Sequence, residues 1–253
     1  MNAYAALAQV YDSLMPAQAY PAWADSCDAL FRPRGLHTVL DLACGTGRLS
    51  WLLAEKGYEV IGADLSSDML AEAMAAGEGR GAEIRPMFIC QAMEELDLYG
   101  TVQAVVCSMD GMNYLDPEAL KETVRRVRLF LEPGGVFFFD VHTPEKLRGL
   151  DGRTFFSESE DAFCVWSAAC PPGAVSCEYA VEVFTRAGKL WRRSSEEHRE
   201  FLHEPEQLRR VLEEAGFVEV RICGGLPLRA RRAEDERLFF VASVPGGKNQ
   251  KMC

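Results

Sequence analysis

Between residues 38 and 141, short apolar runs alternate with stretches of helical periodicity. Thr38-Val39-Leu40-Asp41-Leu42 reads as a strand, and residues 49–55 as a helix stopped by Gly57. Residues 59–63 form a second strand. Ser66 then stands where its hydroxyl can cap a helix over residues 69–76, which ends at Gly77. Residues 84–90 and 103–108 give the third and fourth strands. A longer helix covers residues 117–131, with Pro117 at its start, and the turn Pro133-Gly134-Gly135 leads into a fifth strand at 136–140. These strands are apolar almost throughout, as expected of a parallel sheet covered by helices on both faces.

The pattern changes near residue 150. The runs 163–169, 175–185 and 190–201 contain several β-branched and aromatic residues, the third being the most polar. In the second run Val175, Cys177, Tyr179, Val181 and Val183 fall on one face, and Ala187-Gly188 marks a hairpin turn before the third. Residues 150–203 therefore read as an antiparallel insertion. A helix from Pro205 to Gly216, a strand at 217–223 and a last strand at 237–244 resume the first pattern, and 245–253 is expected to fray. The expected fold is α/β, a Rossmann-like doubly wound and mostly parallel sheet. Residues 1–149 and 204–253 form the main domain, and 150–203 form a β lid after the fifth strand.

Composition narrows the partners. The chain has 253 residues and a net charge of −11, which repels phosphate backbones and counts against nucleic acid. Nine cysteines without a CxxC pair read as free buried thiols in a reducing cytosol, with no metal centre. The first twenty residues lack the basic and apolar regions of a signal peptide, and no apolar run approaches the ~20 residues of a membrane helix. The expectation is a cytoplasmic protein that does not enter the membrane. Oligomeric state is not legible.

The strongest chemical signal is Asp41-Leu42-Ala43-Cys44-Gly45-Thr46-Gly47, between a strand and a helix. Small residues let the backbone turn sharply and approach a ligand, and the helix start adds free N–H groups. A dinucleotide fingerprint would put a third glycine where Ser50 stands, and a phosphate loop would need Lys-Ser/Thr. An acid heads this loop instead, which suits a cationic ligand. Asp64 ends the second strand, where a carboxylate can accept from two ribose hydroxyls.

Together these segments resemble the first two signatures of class I S-adenosylmethionine-dependent methyltransferases, the second being Asp64-Leu65-Ser66-Ser67-Asp68-Met69-Leu70. Gln91-Ala92-Met93-Glu94, Asp110-Gly111-Met112-Asn113-Tyr114 and Leu131-Glu132-Pro133-Gly134-Gly135 are similar to the later ones. With Tyr11-Asp12-Ser13-Leu14-Met15, the set resembles a bacterial small-molecule branch that includes the YqeM-like proteins. By position, the resemblance implies S-adenosyl-L-methionine as cofactor. Asp41, Ala43, Cys44, Gly45, Thr46 and Gly47 would lie at its methionine end, and Asp64 and Leu65 at the ribose. Met69, Gln91, Ala92, Met93 and Cys107 would complete the site. Ala92 departs from the family's acidic adenine contact, which must come from Gln91, Glu94 or water, or be absent.

The acceptor side is less defined. His142, after the fifth strand, is either a general base or a hydrogen-bonded loop residue. Asp110 either orients a cationic acceptor or caps a turn, and Tyr11 either covers the cofactor or anchors a helix. Asn113, Tyr114, Trp166 and Trp191 are candidates for the acceptor wall, with loop ending and strand packing as the plain alternatives. The expected reaction is in-line methyl transfer to a nitrogen or oxygen of a small molecule. The alternatives are a non-catalytic S-adenosylmethionine-binding module, or methylation of RNA or protein.

Overall fold

The computed structural model describes residues 7–14, 19–80 and 83–246. Most of the tail 245–253, expected to fray, lies outside the described residues. Two helices open the chain, α1 (Ala8–Leu14) and α2 (Ala19–Phe31). The alternating region follows as β1 (Thr38–Leu42), α3 (Arg48–Glu55), β2 (Glu59–Asp64), α4 (Ser67–Ala75), β3 (Met87–Cys90), β4 (Val102–Cys107), α5 (Pro117–Phe130) and β5 (Leu131–His142). After α6 (Pro144–Arg148) come β6 (Thr154–Glu158), β7 (Ala162–Ala169), β8 (Ser176–Ala187) and β9 (Leu190–Phe201). The chain closes with α7 (Pro205–Glu214), β10 (Val218–Gly224), β11 (Arg229–Ala230) and β12 (Arg237–Ser243).

The eight-stranded sheet runs β11-β10-β12-β5-β4-β1-β2-β3. Strands β1 to β5 are mutually parallel, and β12 enters antiparallel beside β5. Successive aromatics of β5 explain why its sequence is apolar throughout. Phe137 and Phe139 join the core under α5 and α7. Phe138 points the other way, to Trp23 of α2 at 4.5 Å between ring centroids. Helix starts follow the expected capping chemistry: Ser66 accepts from the Met69 amide, and Asp116 accepts from those of Glu118 and Ala119.

The insertion is a separate antiparallel sheet, β6-β7-β8-β9. Its inner face, with Cys164, Ala168, Cys177, Tyr179, Val181 and Val183, packs on Leu7 and Leu14 beside α1 and on Leu147 of α6. Several expectations need correction. Val175 lies ahead of β8 and is exposed rather than on the inner face. Strand β3 begins at Met87, and β5 reaches His142. The short β6, with polar neighbours and no alternation, escaped the pattern. All described cysteines are free, but Cys90 is exposed. Among the described residues no helix is long and apolar enough to cross a membrane.

One side chain stitches the two sheets together. Asn113, fully buried, accepts from the His142 amide at 2.9 Å and donates to the Phe201 carbonyl at 2.9 Å. Removing it leaves a buried donor and a buried acceptor without partners. Asn113→Ala should therefore lower unfolding free energy by about 2–4 kcal/mol, measured by urea denaturation. A change under about 0.5 kcal/mol would show that the stitch is dispensable.

Candidate active site

The carboxyl ends of β1, β2 and β4 border a cavity of about 280 Å³. This is the end of an open α/β sheet where the strands release loops that can wrap a ligand. The loop after β1 contributes Ala43, Cys44 and Gly45, and the end of β2 contributes Asp64, Leu65 and Ser66, with Met69 from α4. The loop after β3 adds Ala92, Met93 and Glu94. The turn after β4 adds Ser108, Met109, Gly111, Tyr114 and Leu115, and Tyr11 and Tyr20 face it from α1 and α2.

The β1 loop needs its small residues for two different reasons. Ala43, Gly45 and Gly47 all have positive φ. A Cβ on Gly47 would lie 2.9 Å from the Ala73 and Phe88 side chains, so this glycine lets the loop pack on α4. A Cβ on Gly45 would meet nothing within 4 Å, so this glycine leaves its space to the cavity. Asp64 sets the loop's height: Oδ2 accepts from the Gly45 amide at 2.7 Å and Oδ1 from that of Ser66 at 2.9 Å. Each oxygen keeps a second acceptor position. Burial pushes the Asp64 carboxyl above its usual range, against the pull of those backbone donors.

Asp41 lies beneath the loop, fully buried, and does not line the cavity. Its Oδ2 accepts from the Ser50 hydroxyl at 2.5 Å, and its Oδ1 has no hydrogen-bond partner. Burial pushes its pKa up to about 7, with Ser50 opposing and Asp64 adding to the rise. Thr46, Gly47, Gln91 and Cys107 also stand outside the lining. Thr46 instead donates to Asp12 at 2.7 Å, and Asp12 pairs with Arg48 at 3.1 Å, which fastens α1 to the loop and brings Tyr11 to the cavity. Gln91 is tied to the backbone of Asp97 by two bonds of 3.1 Å. Of the residues weighed for the adenine contact, Glu94 therefore remains on the cavity wall.

The acceptor-side candidates divide. Tyr11 and Tyr114 line the cavity. Trp166 stands behind it, 5.3 Å from the ring of His198, which in turn meets Tyr114 edge-on at 6.2 Å. Trp191 lies at the β8–β9 hairpin, half exposed under Arg186, away from the lining. Asn113 is the stitch described above.

His142 and Asp110 do not face the cavity either, because a charge cluster holds them. Asp110 Oδ1 accepts from Arg237 at 2.6 Å, and the Asp110 amide donates to Asp140 at 3.2 Å. Arg237 also binds Asp140. His142 Nδ1 meets Glu200 at 3.0 Å, while Lys146 Nζ and Arg237 Nη2 each approach Nε2 at 2.6 Å. An imidazole whose lone pair faces two cations is not a free general base. Burial disfavours charge on His142, yet Asp110 and Glu200 outweigh it and raise its pKa. The donors at Nε2 pull toward the neutral ring and the carboxylates toward the charged one, so both forms are held in the network. Asp110, Glu200 and His142 place ligand atoms within 4.8 Å of one another, but the two cations on Nε2 make this donor set unsuited to a metal ion.

Strain gathers here. Of the four described non-glycine residues with positive φ, Ala43 lines the cavity, Met109 lines it, and Asp110 links Met109 to Gly111. Such residues cost on the order of 1–3 kcal/mol each and persist where their surroundings fix them. The site candidates omit Tyr20, Ser66, Ser108, Met109, Gly111 and Leu115 of the lining, and Arg237. Ser66, Ser108, Met109 and Gly111 carried a signal, their place just after β2 and β4.

Residues 39–135 match the family model described as "Methyltransferase domain". The chain is 33% identical over 243 residues to "Putative methyltransferase YqeM" of Bacillus subtilis, covering 94% of this chain and 96% of the relative. It is 25% identical over 214 residues to a glycine/sarcosine N-methyltransferase of Halorhodospira halochloris, covering 83% and 76%. The crystal structure of an S-adenosylmethionine-dependent methyltransferase from Clostridium acetobutylicum superposes with a TM-score of 0.83 at 27% identity, over 97% of this chain and 100% of that one. The chain belongs to the S-adenosylmethionine-dependent methyltransferases, in the group that contains the YqeM-like proteins.

Proposed function

We propose that the chain transfers the methyl group of S-adenosylmethionine to a small-molecule acceptor, with nitrogen favoured over oxygen, and that the antiparallel sheet 150–203 covers the acceptor side. The observation that carries this reading is the cavity wall itself. Among the described lining residues no histidine is present, the carboxylates Asp64 and Glu94 are engaged by ribose and adenine in this reading, and the phenol of Tyr20 is pushed up to about 12 by burial. A neutral amine brings its own lone pair and needs no base during transfer, whereas a hydroxyl acceptor does. The cavity is small beside typical ligand sites of roughly 300–1,000 Å³, which leaves little room beyond the donor unless the lid moves. The N-methyltransferase relative from Halorhodospira halochloris acts, by its name, on a small amino acid.

The donor fits the residues present. The open space over Gly45 admits a ligand chain, and the orphaned Oδ1 of Asp41 supplies negative charge behind the loop. Asp64 would accept from the ribose hydroxyls through its spare lone pairs. Met69, Leu65, Ala92 and Met93 would flank the adenine, with Glu94 accepting from its amino group. When bound, the donor supplies a methyl already activated by positive sulfur. The chain's task is to orient, and positioning of this kind can supply roughly 7–11 kcal/mol. Tyr11 and Tyr114 would flank the acceptor and exclude water as its lone pair meets the methyl carbon.

Three measurements test this reading. Asp64→Ala should weaken S-adenosylmethionine binding by at least about a hundredfold, since two hydrogen bonds to a charged group are lost at about 1.5–3 kcal/mol each. Calorimetry showing unchanged affinity would place the ribose elsewhere. Glu94→Gln should reduce affinity by about tenfold, and the loss should shrink for an inosine-type analogue that lacks the adenine amino group. Equal losses for both ligands would remove Glu94 from adenine recognition.

The third test follows from Asp41. Burial favours its neutral form, so its contribution to folding stability is greatest at acid pH and is lost as pH rises through about 7. A cationic donor reverses that preference and draws the proton off. Affinity should therefore rise with pH toward about 7 and level above it, with proton release on binding at pH 6. Asp41→Asn should flatten the profile. A flat profile in the unaltered protein would separate Asp41 from the ligand's charge.

A further inference from the structure

The parallel strands all point their carboxyl ends toward the side of the sheet that holds the cavity, and β12 is antiparallel to them, so its first residue arrives at the same end. That residue is Arg237, in register with His142, the last residue of β5. The register puts a guanidinium beside the turn that follows β4. This turn has an unusual backbone. Met109 and Asp110 are consecutive non-glycine residues, both at φ 58°. L side chains disfavour that region; aspartate tolerates it better than most, but methionine does not, and two such residues in succession are costly. The next residue, Gly111, has no spare room: a Cβ there would lie 2.8 Å from Cys107 Sγ and 3.2 Å from the Ala43 side chain. The turn therefore leans on the β1 loop, and Met109 and Gly111 present one side to the cavity.

Asp110 lies between those two residues and faces away, into the charge cluster. Its amide donates to Asp140 Oδ1 at 3.2 Å, and its Oδ1 accepts from Arg237 at 2.6 Å. The same guanidinium binds Oδ2 of Asp140, which is fully buried. One cation thus bridges two carboxylates that flank the strained turn. Without it, the carboxylates of Asp110 and Asp140 repel each other, and the amide bond that fixes Asp110 loses its anchor. His142 Nε2 lies 3.6 Å from the same Asp110 oxygen and Lys146 is directed at His142, so among the described ion pairs Arg237 is the group that spans both carboxylates.

We infer that Arg237 is a positioning residue of the donor site: by bridging Asp110 and Asp140 it holds the left-handed Met109–Asp110 turn and so keeps the β4 wall of the cavity in its binding shape. Arg237 touches neither donor nor acceptor. The inference rests on the cavity being the donor site and adds a residue from the far end of the chain to it.

The test titrates the full-length protein with S-adenosylhomocysteine by calorimetry, well below each variant's unfolding temperature. Arg237→Ala should weaken binding by about ten- to a hundredfold, the scale of one lost strained conformation. Adding Asp110→Gly to that variant removes both the unfavourable φ and the unpaired carboxylate, and should recover most of the affinity. A general loss of stability would not be repaired in this way. Arg237→Lys, which keeps the charge but cannot bridge as a fork, should bind with intermediate strength and serves if the alanine variant does not fold. Wild-type affinity in folded Arg237→Ala or Arg237→Lys would overturn the inference, as would a double variant no better than the single one. A wild-type protein that failed to bind the ligand would contradict the donor-site reading instead.

Discussion

Buried carboxylates at the ends of parallel strands hold this structure's cavity open. A parallel sheet releases all its loops at one end, and those loops must turn sharply to leave space for a ligand. Ala43, Met109 and Asp110 turn through left-handed conformations, which the sequence at those positions does not favour by itself. Asp64 fixes the first loop through the Gly45 amide, and Asp140 fixes the second through the Asp110 amide. Asp41 lies under the first loop, bound to Ser50 at the start of α3. Each acid sits at or near the carboxyl end of its strand, so the sheet supplies the rigid frame and the acids supply the aim.

The same acids create an electrostatic debt that the surroundings settle in two ways. At Asp140 and Asp110 a cation from β12 is built in, and the cluster extends through His142 to Glu200 of the lid sheet. At Asp41 no cation is built in, and burial raises the carboxyl toward neutrality. The contrast separates structure from ligand recognition. A site whose charge is already balanced positions its neighbours, whereas a site whose acceptor lacks a partner suits a positively charged guest. Asn113 and the charge cluster also join the lid sheet to the end of β5, so the two sheets meet at the carboxyl end of the parallel strands.

Much of the main sheet was legible because its signals are local. Strands buried on both faces read as unbroken apolar runs, Ser66 and Pro117 announced their helices, and the glycine turn with Asp64 marked the ligand end. In the lid, β8 was legible from alternation and the polar β9 from the Ala187-Gly188 turn that precedes it, but β6 was too short to show a period. Lining residues in the loops after β1 and β2 carried a local signal, while Tyr20 and Arg237, brought by tertiary packing, carried none. Nothing around Tyr20 or Arg237 in the sequence says that α2 and β12 carry them to β1 and β4. At His142 the sequence allows either a general base or a hydrogen-bonded residue, and only the packing distinguishes them: Lys146, one helical turn on, and Glu200 of the lid engage it.

The account's central claim is a small-molecule acceptor served by a donor site on the parallel sheet. It is tested most directly by incubating the protein with S-adenosylmethionine carrying a labelled methyl group and a complete bacterial extract, then separating products by size. The account predicts enzyme-dependent label in the low-molecular-weight fraction, attached to nitrogen. Label retained instead on protein or RNA would contradict it.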